Sequence, residues 1–370
     1  MVTHVHGGEH GKDEEADPEF VAAREQFRIG THEQRKRLPM AELVVAPLLE
    51  PPEDRMETQL RMTFGLAKDR DIARVADLFR KIGRVEDEFW PEVRIFLRAG
   101  QEAPFFSPLS PTSLASTAYP GLATSGNIWA WTPQVYVERR VAEPNETTLS
   151  IRAGVLDSLT GELPAGEYSR LATAGERSRL PASAVRLGVR HAADERVTSA
   201  GIGAYFARQN WGFNRTVNAW ATTADWELPL SAHVQLSGEA YAGRAIGGLG
   251  GGAHSSVLFD GAPGVASSVV FPLASVGGWG QMKLKANART EMNAAYGIDS
   301  SKPRGSMGLL QAPNDATPSA SRNASDMFNV IYQLRSNVFL SVEYRRLWTT
   351  RFDGRSWLAD HINLAGGIVF

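Results

Sequence analysis

The last ten residues, His361-Ile-Asn-Leu-Ala-Gly-Gly-Ile-Val-Phe370, decide how the chain is read. Ile362, Leu364, Gly366, Ile368 and Phe370 fall on one parity; His361, Asn363, Ala365, Gly367 and Val369 fall on the other. A β-strand turns successive side chains to opposite faces, so this decapeptide has one apolar face and one small or polar face. A soluble sheet ending on such a bare apolar edge invites pairing with other molecules. In lipid the same strand has a use: a barrel removes its edges by pairing its last strand with its first. The competing reading is a sandwich strand that happens to come last.

Composition narrows the classes. A length of 370 residues suits either two or three soluble domains or one large barrel. A formal net charge of -2 with 22% charged residues gives no electrostatic reason to expect nucleic acid as a partner. Cysteine is absent, which excludes thiolate metal sites, disulfides and thiol catalysis. The 35 glycines and 9 tryptophans suit turns and interfacial anchors better than a helical core. No run reaches the roughly 18 apolar residues of a transmembrane helix, so a membrane role rests on strands. Met1 to His10 carries no basic start, apolar core or small-residue cleavage site, so no secretory signal is visible. The expectation is a truncated or frame-shifted start.

Residues 1–90 read as a polar tail and an amphipathic helix. His4, His6, Glu9 and His10 have metal-binding residue types, but on a glycine-rich tail the expectation is a solvated end, with no metal and no cofactor assigned. From Asp69 to Phe89, Ile72, Val75, Phe79, Ile82, Val85 and Phe89 recur at three- and four-residue spacing, a helix that packs one face. Leu60, Met62, Phe64 and Leu66 alternate as a remnant strand would. The texture changes at Pro91, and residues 91–370 read as an all-β unit. Strands are expected near 93–100, 127–140, 147–157, 182–192, 198–209, 214–228, 231–244, 277–286, 290–299, 324–334, 338–349 and 358–370. Phe105-Phe-Ser-Pro-Leu-Ser-Pro-Thr112 opens a Pro/Ser-rich loop running to about Gly126.

The connections and the faces agree with a membrane barrel. Short turns at Glu143-Pro-Asn, Ala193-Asp-Glu, Leu228-Pro-Leu, Asn287-Ala-Arg and Arg335-Ser-Asn alternate with longer loops, chiefly 158–181, 245–276 and 300–323. Transmembrane barrels are built this way, short on the periplasmic side and long outside. Leu149, Ile151 and Val155 alternate with Ser150, Arg152 and Gly154; Val185, Leu187 and Val189 alternate with Arg186, Gly188 and Arg190. Mid-strand charges must point into water, since a cation facing lipid at the midplane costs about 2–4 kcal/mol. Trp129, Trp131, Tyr136, Trp211, Phe213, Trp226, Trp279, Trp348 and Phe370 sit near proposed strand ends, as interfacial girdles do. Trp220 breaks that pattern mid-strand.

Four segments carry a resemblance to a family: Gly100–Leu114, Gly126–Val135, Ser237–Gly252 and Asn323–Asn337. They resemble bacterial outer-membrane porins of the DcaP-like group, over roughly residues 93 to 370. The terminal strand, with Ile362, Leu364, Ile368 and Phe370, resembles the insertion signal read by the barrel-assembly machinery. The resemblance implies a homotrimer of sixteen-stranded transmembrane antiparallel β-barrels, set in outer-membrane lipid and passing small, often anionic, hydrophilic solutes. About twelve strands are readable here, so the first four of such a barrel are not recognisable.

The functional expectation is therefore an outer-membrane porin for passive diffusion, with no catalytic residues. Arg152, Arg186, Arg190, Glu239, Lys283, Lys285, Glu343 and Arg345 are the pore-lining candidates, with His361 and Asn363 near the end. Cations outnumber carboxylates among them, which favours anions in a narrow aqueous path. The Gly247–Gly252 run either folds inward to narrow the pore or forms an exposed loop. The alternatives are a soluble or surface β-rich binding or adhesive protein, and a barrel enzyme. No Gly-X-Ser-X-Gly, His-Glu-X-X-His or phosphate-loop motif supports the last, and His191, His233, His254 and His361 are scattered.

Overall fold

The structure, a computed structural model, describes residues 41–45, 93–116, 119–142, 146–162, 171–193, 196–303 and 320–369, with backbone alone for 41–45, 93, 94 and 303. The expectations for the histidine tail, the remnant strand of 60–66, the helix of 69–89 and Phe370 lie outside the described residues. What is described is one antiparallel sheet. Its strands are β1 (Ala41–Val45), β2 (Val93–Glu102), β3 (Thr132–Ala142), β4 (Thr147–Leu156), β5 (Ala182–Ala193), β6 (Arg196–Asn210) and β7 (Thr216–Pro229). They continue as β8 (Val234–Arg244), β9 (Val257–Phe259), β10 (Val270–Asn287), β11 (Thr290–Pro303), β12 (Ala320–Arg335), β13 (Val338–Arg351) and β14 (Ser356–Ile368). Each strand pairs with the next in sequence, except that β8 pairs β10 while the short β9 adds to β10 alone.

Twelve long strands follow Val93, as the alternation implies; β1 and β9 have no counterpart in that reading. All pairings are antiparallel, so β1 and β14 run in the same direction, and among the described residues their outer edges do not meet. The strand expected at 127–140 begins only at Thr132, because 127–131 belong to an inserted segment. The described short connections, 230–233, 288–289 and 336–337, lie at one rim, and the described longer ones, 103–116, 119–131 and 245–256, at the other.

Side-chain alternation divides the sheet into two surfaces. On the convex face stand Val135, Ile151, Leu187, Ile202, Phe206, Phe328 and Val342, each more than 40% exposed. Ile362 and Leu364 reach 76% and 71%, and Ile368 lies on the same side. A soluble sheet would not turn its largest aliphatic side chains to water, so this belt marks a lipid-facing surface. Trp220 belongs to it, 42% exposed, which settles the facing of β7. Trp129, Tyr136, Trp211 and Trp279 correct the girdle expectation: all four are buried inside. Only Trp131, Phe213, Trp226 and Trp348 remain available to the rims.

The core lies on the concave face. Phe105, Phe106, Tyr136, Tyr205, Trp211, Ile246, Leu249 and Phe259 form its largest cluster, and Leu122, Trp279, Ala295 and Met327 a second one. Several of these residues come from connections rather than strands. The barrel interior is thus filled by its own loops.

Leu187→Lys tests the facing. A cation among convex-face aliphatics should lower the stability of vesicle-inserted protein by about 2–4 kcal/mol in a urea titration. A neutral outcome would mean that Leu187 faces water.

Candidate functional site: the filled interior

The connection from β2 to β3, residues 103–131, turns back into the concavity and runs along the inner wall. Phe105 N donates to Gln134 Oε1 on β3 at 3.0 Å, and its ring stacks on Tyr136 at 4.5 Å. Thr223 Oγ1 of β7 donates to Phe106 O at 2.6 Å, and the Phe106 ring stacks on Tyr205 of β6 at 5.2 Å. Ser107 Oγ and Leu109 N donate to the two oxygens of Glu239 on β8, at 3.1 and 2.8 Å. Thr112 N donates to Gln281 Oε1 on β10 at 2.7 Å, and Asn329 Nδ2 of β12 donates to Thr112 O at 2.8 Å. Arg345 of β13 reaches Ser113 Oγ at 3.3 Å. One segment that touches β3 and β13 requires the sheet to curl around it.

Close approach explains two glycines. At Gly203 a Cβ would collide with Phe106 O, and Gly126, at φ 89°, lies against Gly278 O and Ile298 O. Both let the inserted backbone approach the wall more closely than any side chain allows.

A second connection fills the long-loop end. Of the two readings of Gly247–Gly252, the inward one is found: Gly247, Leu249 and Gly252 are buried. Trp129 N and Ala130 N donate to Leu249 O at 3.1 and 3.2 Å, joining the two inserts. Tyr241 Oη donates to Asp299 Oδ1 at 2.5 Å and accepts from Gly252 N at 3.1 Å; Ala253 N donates to Asp299 Oδ2 at 3.1 Å. Ala253 and His254 both adopt positive φ, a strained turn held by these bonds. Packing around the ring holds His254 below the usual histidine range.

All eight pore-lining candidates fall on the concave parity, but they differ in what they meet. Glu239 is 3% exposed beneath the first insert, where it acts as a clamp. Arg186 is buried and bonds Asp225 through Nε and Nη2, at 3.0 and 2.5 Å. Glu343 accepts from Arg345 Nε at 2.6 Å, Asn329 Nδ2 at 3.2 Å and Asn363 Nδ2 at 3.3 Å. Lys283 pairs with Glu291 at 3.3 Å. Arg190 and Lys285 are exposed near the short-turn rim.

Arg152 belongs to a group the sequence reading missed. Glu138, 1% exposed, lies 2.8 Å from Arg140, 3.1 Å from Arg152 and 4.0 Å from Arg98, so three guanidinium groups share one carboxylate. Arg140 also covers the Phe96 ring at 4.2 Å. Parity could have placed Glu138 and Arg140 inside, as they are two residues apart in β3. The anchors Gln134, Thr223, Gln281 and Asn329 carried no such signal, because their partners lie 29 to 217 residues away. Among the described residues no group of three or more His, Cys, Asp or Glu could hold a metal ion.

The fold is that of a solved outer-membrane channel. The chain is similar to the outer membrane channel DcaP of Acinetobacter baumannii, with a TM-score of 0.54 and 15% identity over 75% of this chain and 74% of that one. It also resembles the outer-membrane expressed OmpT of Vibrio cholerae, at a TM-score of 0.40 and 10% identity over 74% and 75% of the two chains. No protein-family model and no curated protein matches the sequence.

Two expected outcomes follow from the inserts. Glu239→Ala leaves the Leu109 N–H without its acceptor, a loss of about 1–3 kcal/mol, and should loosen residues 103–131. Single-channel recordings should then show a larger and noisier conductance; unchanged traces would deny the clamp. For His254 the native pKa lies below the unfolded value, so protonation disfavours the seated loop. That stabilisation is present near neutrality and is lost as pH falls below about 6.5. Protease cleavage within 245–259 should rise on acidification, and His254→Gln should abolish the rise; an unchanged acid response in the variant would exclude His254 as the sensor.

Proposed function

We propose that the chain is an outer-membrane porin passing small hydrophilic solutes by passive diffusion, with a mild preference for anions, and that it performs no catalysis. One observation carries the selectivity: on the β2–β4 wall Arg140 and Arg152 both lie against the single carboxylate of Glu138, at 2.8 and 3.1 Å, so these two cations outnumber the carboxylate between them. The first insert is bonded to the β3 end near Gln134 and to the wall from β7 to β13. Arg140 keeps a third of its side chain exposed. Arg190 and Lys285 add uncompensated charge toward the short-turn rim. A narrow path beside low-dielectric walls focuses such a field and enriches anions locally.

The exposed convex belt supports the membrane setting over a soluble binding or adhesive protein. In this reading the long-loop rim is extracellular and the short-turn rim periplasmic. Outer-membrane lipid and the barrel-assembly machinery are the partners, with homotrimer formation, and the terminal strand with Ile362, Leu364 and Ile368 is the part read during insertion.

Replacing both Arg140 and Arg152 by Gln should remove two cationic charges from this wall. In bilayer recordings under a salt gradient, the reversal potential should move toward the cation value, with a several-fold lower anion/cation permeability ratio. An unmoved reversal potential would assign these arginines to holding Glu138 alone.

A further inference from the structure

On the convex face, β11 to β14 carry Asp, Arg and Lys side chains where β4 and β5 carry none, and their order along the strands has a meaning. Reading upward from the short-turn rim, Tyr332, Phe328, Leu340, Val342, Leu364 and Ile362 form the apolar band. Next comes a row in direct register, Asp326, Arg346 and Asp360. Arg346 bonds Asp360 through Nε and Nη2 at 2.7 and 3.0 Å, so that cation is neutralised within the row. One step higher, Ala324, Trp348 and Leu358 are in register, with Trp348 37% and Leu358 53% exposed. Above them stand Arg322, opposite Ser300 and Thr350, and Lys302, two residues past Ser300 on the same face. Four residues separate Arg322 from Asp326, about 13 Å along a strand. Arg322 and Lys302 are both exposed, and neither has a hydrogen-bond or ion-pair partner among the described residues.

An apolar band, a row in which one carboxylate neutralises the guanidinium, an exposed tryptophan and then two cations without a partner among the described residues is the profile of a surface crossing from hydrocarbon into a headgroup layer. Diagonal neighbours on adjacent strands lie roughly 7–8 Å apart, close enough for two side chains to hold one phosphate group. We propose that Arg322, Lys302 and Trp348 form a site for a phosphorylated lipid of the outer leaflet. The two cations take the headgroup phosphate, and Trp348 and Leu358 pack against the top of its acyl chains. The charge of the site is complementary to the headgroup, whereas the carboxylates lie below Trp348 at chain depth. The inference rests on the outer-membrane orientation given above, and it concerns the outer wall rather than the pore.

The test uses the full chain, purified in detergent, with native mass spectrometry and a diphosphorylated, acylated glucosamine disaccharide lipid as probe. Heat-modifiable gel migration and channel activity in vesicles establish separately that each preparation is a folded barrel; failure there would count against the membrane reading itself. Two surface cations at about 1 kcal/mol each predict that Arg322→Gln with Lys302→Gln weakens lipid retention about twenty- to thirtyfold. The dephosphorylated lipid should bind the native chain as weakly. Arg208→Gln, an exposed convex-face cation on β6, should change nothing. Equal retention by the double variant, or an equal loss with Arg208→Gln, would overturn the site. Displacement of the lipid by inorganic phosphate alone would also overturn it, in favour of a site for a soluble anion.

Discussion

A backbone in hydrocarbon cannot leave its N–H and C=O groups unpaired, and the rest of this structure follows from that constraint. Strands satisfy it only by pairing with neighbours, which fixes the side-chain period at two and forces every residue to one face or the other. The convex face must then be apolar across the hydrocarbon band, with charges confined toward its edges, and the concave face can be anything. In this chain the consequence is clearest on β4, where Leu149, Ile151 and Val155 face out while Ser150 and Arg152 face in.

Freed from lipid, the concave face holds both greasy and charged groups, and they are separated. Toward the long-loop end the inserts supply Phe105, Phe106, Ile246 and Leu249, which pack on Tyr136, Tyr205 and Tyr241 as a soluble core would. Lower down, carboxylates and guanidinium groups pair across strands. Buried pairs such as Arg186 with Asp225 gain little net stability, because desolvation offsets most of their attraction. What they supply is geometry, since a bidentate guanidinium fixes the relative position of β5 and β7. Glu239 does the same for an insert through one main-chain donor, Leu109 N, and one hydroxyl, Ser107 Oγ.

The sequence made the sheet legible because parity is a local property. Twelve strands, the facing of most of them and the alternation of turn lengths all come from windows of a few residues, while Trp220 left the facing of β7 open. The inserts were not legible for the opposite reason. Phe105-Phe106-Ser-Pro-Leu reads as a polar-flanked loop, and nothing in it records that Glu239 waits 130 residues away to accept from Leu109. Aromatics misled for a related cause. Trp129, Trp211 and Trp279 have girdle spacing, but tryptophan is equally suited to a packed interior, and only the path of the inserts decides between the two. Among the pore-lining candidates, parity placed every residue on the correct face yet could not separate Glu239, covered by an insert, from Arg190, which is exposed.

Filling one side of an interior has a consequence for the other. The first insert is anchored from β7 through β13 and takes up the hydrogen-bonding capacity of Thr223, Glu239, Gln281 and Asn329. Those groups have little left to offer a solute. Among the described residues the insert leaves β2 and meets β3 at Gln134 and Tyr136, near the strand's start. Glu138, Arg140 and Arg152 begin one step lower, beyond the reach of Phe105. The same insert that fills the concavity therefore decides which of its polar side chains stay open, since it buries Glu239 and occupies Gln281 and Asn329.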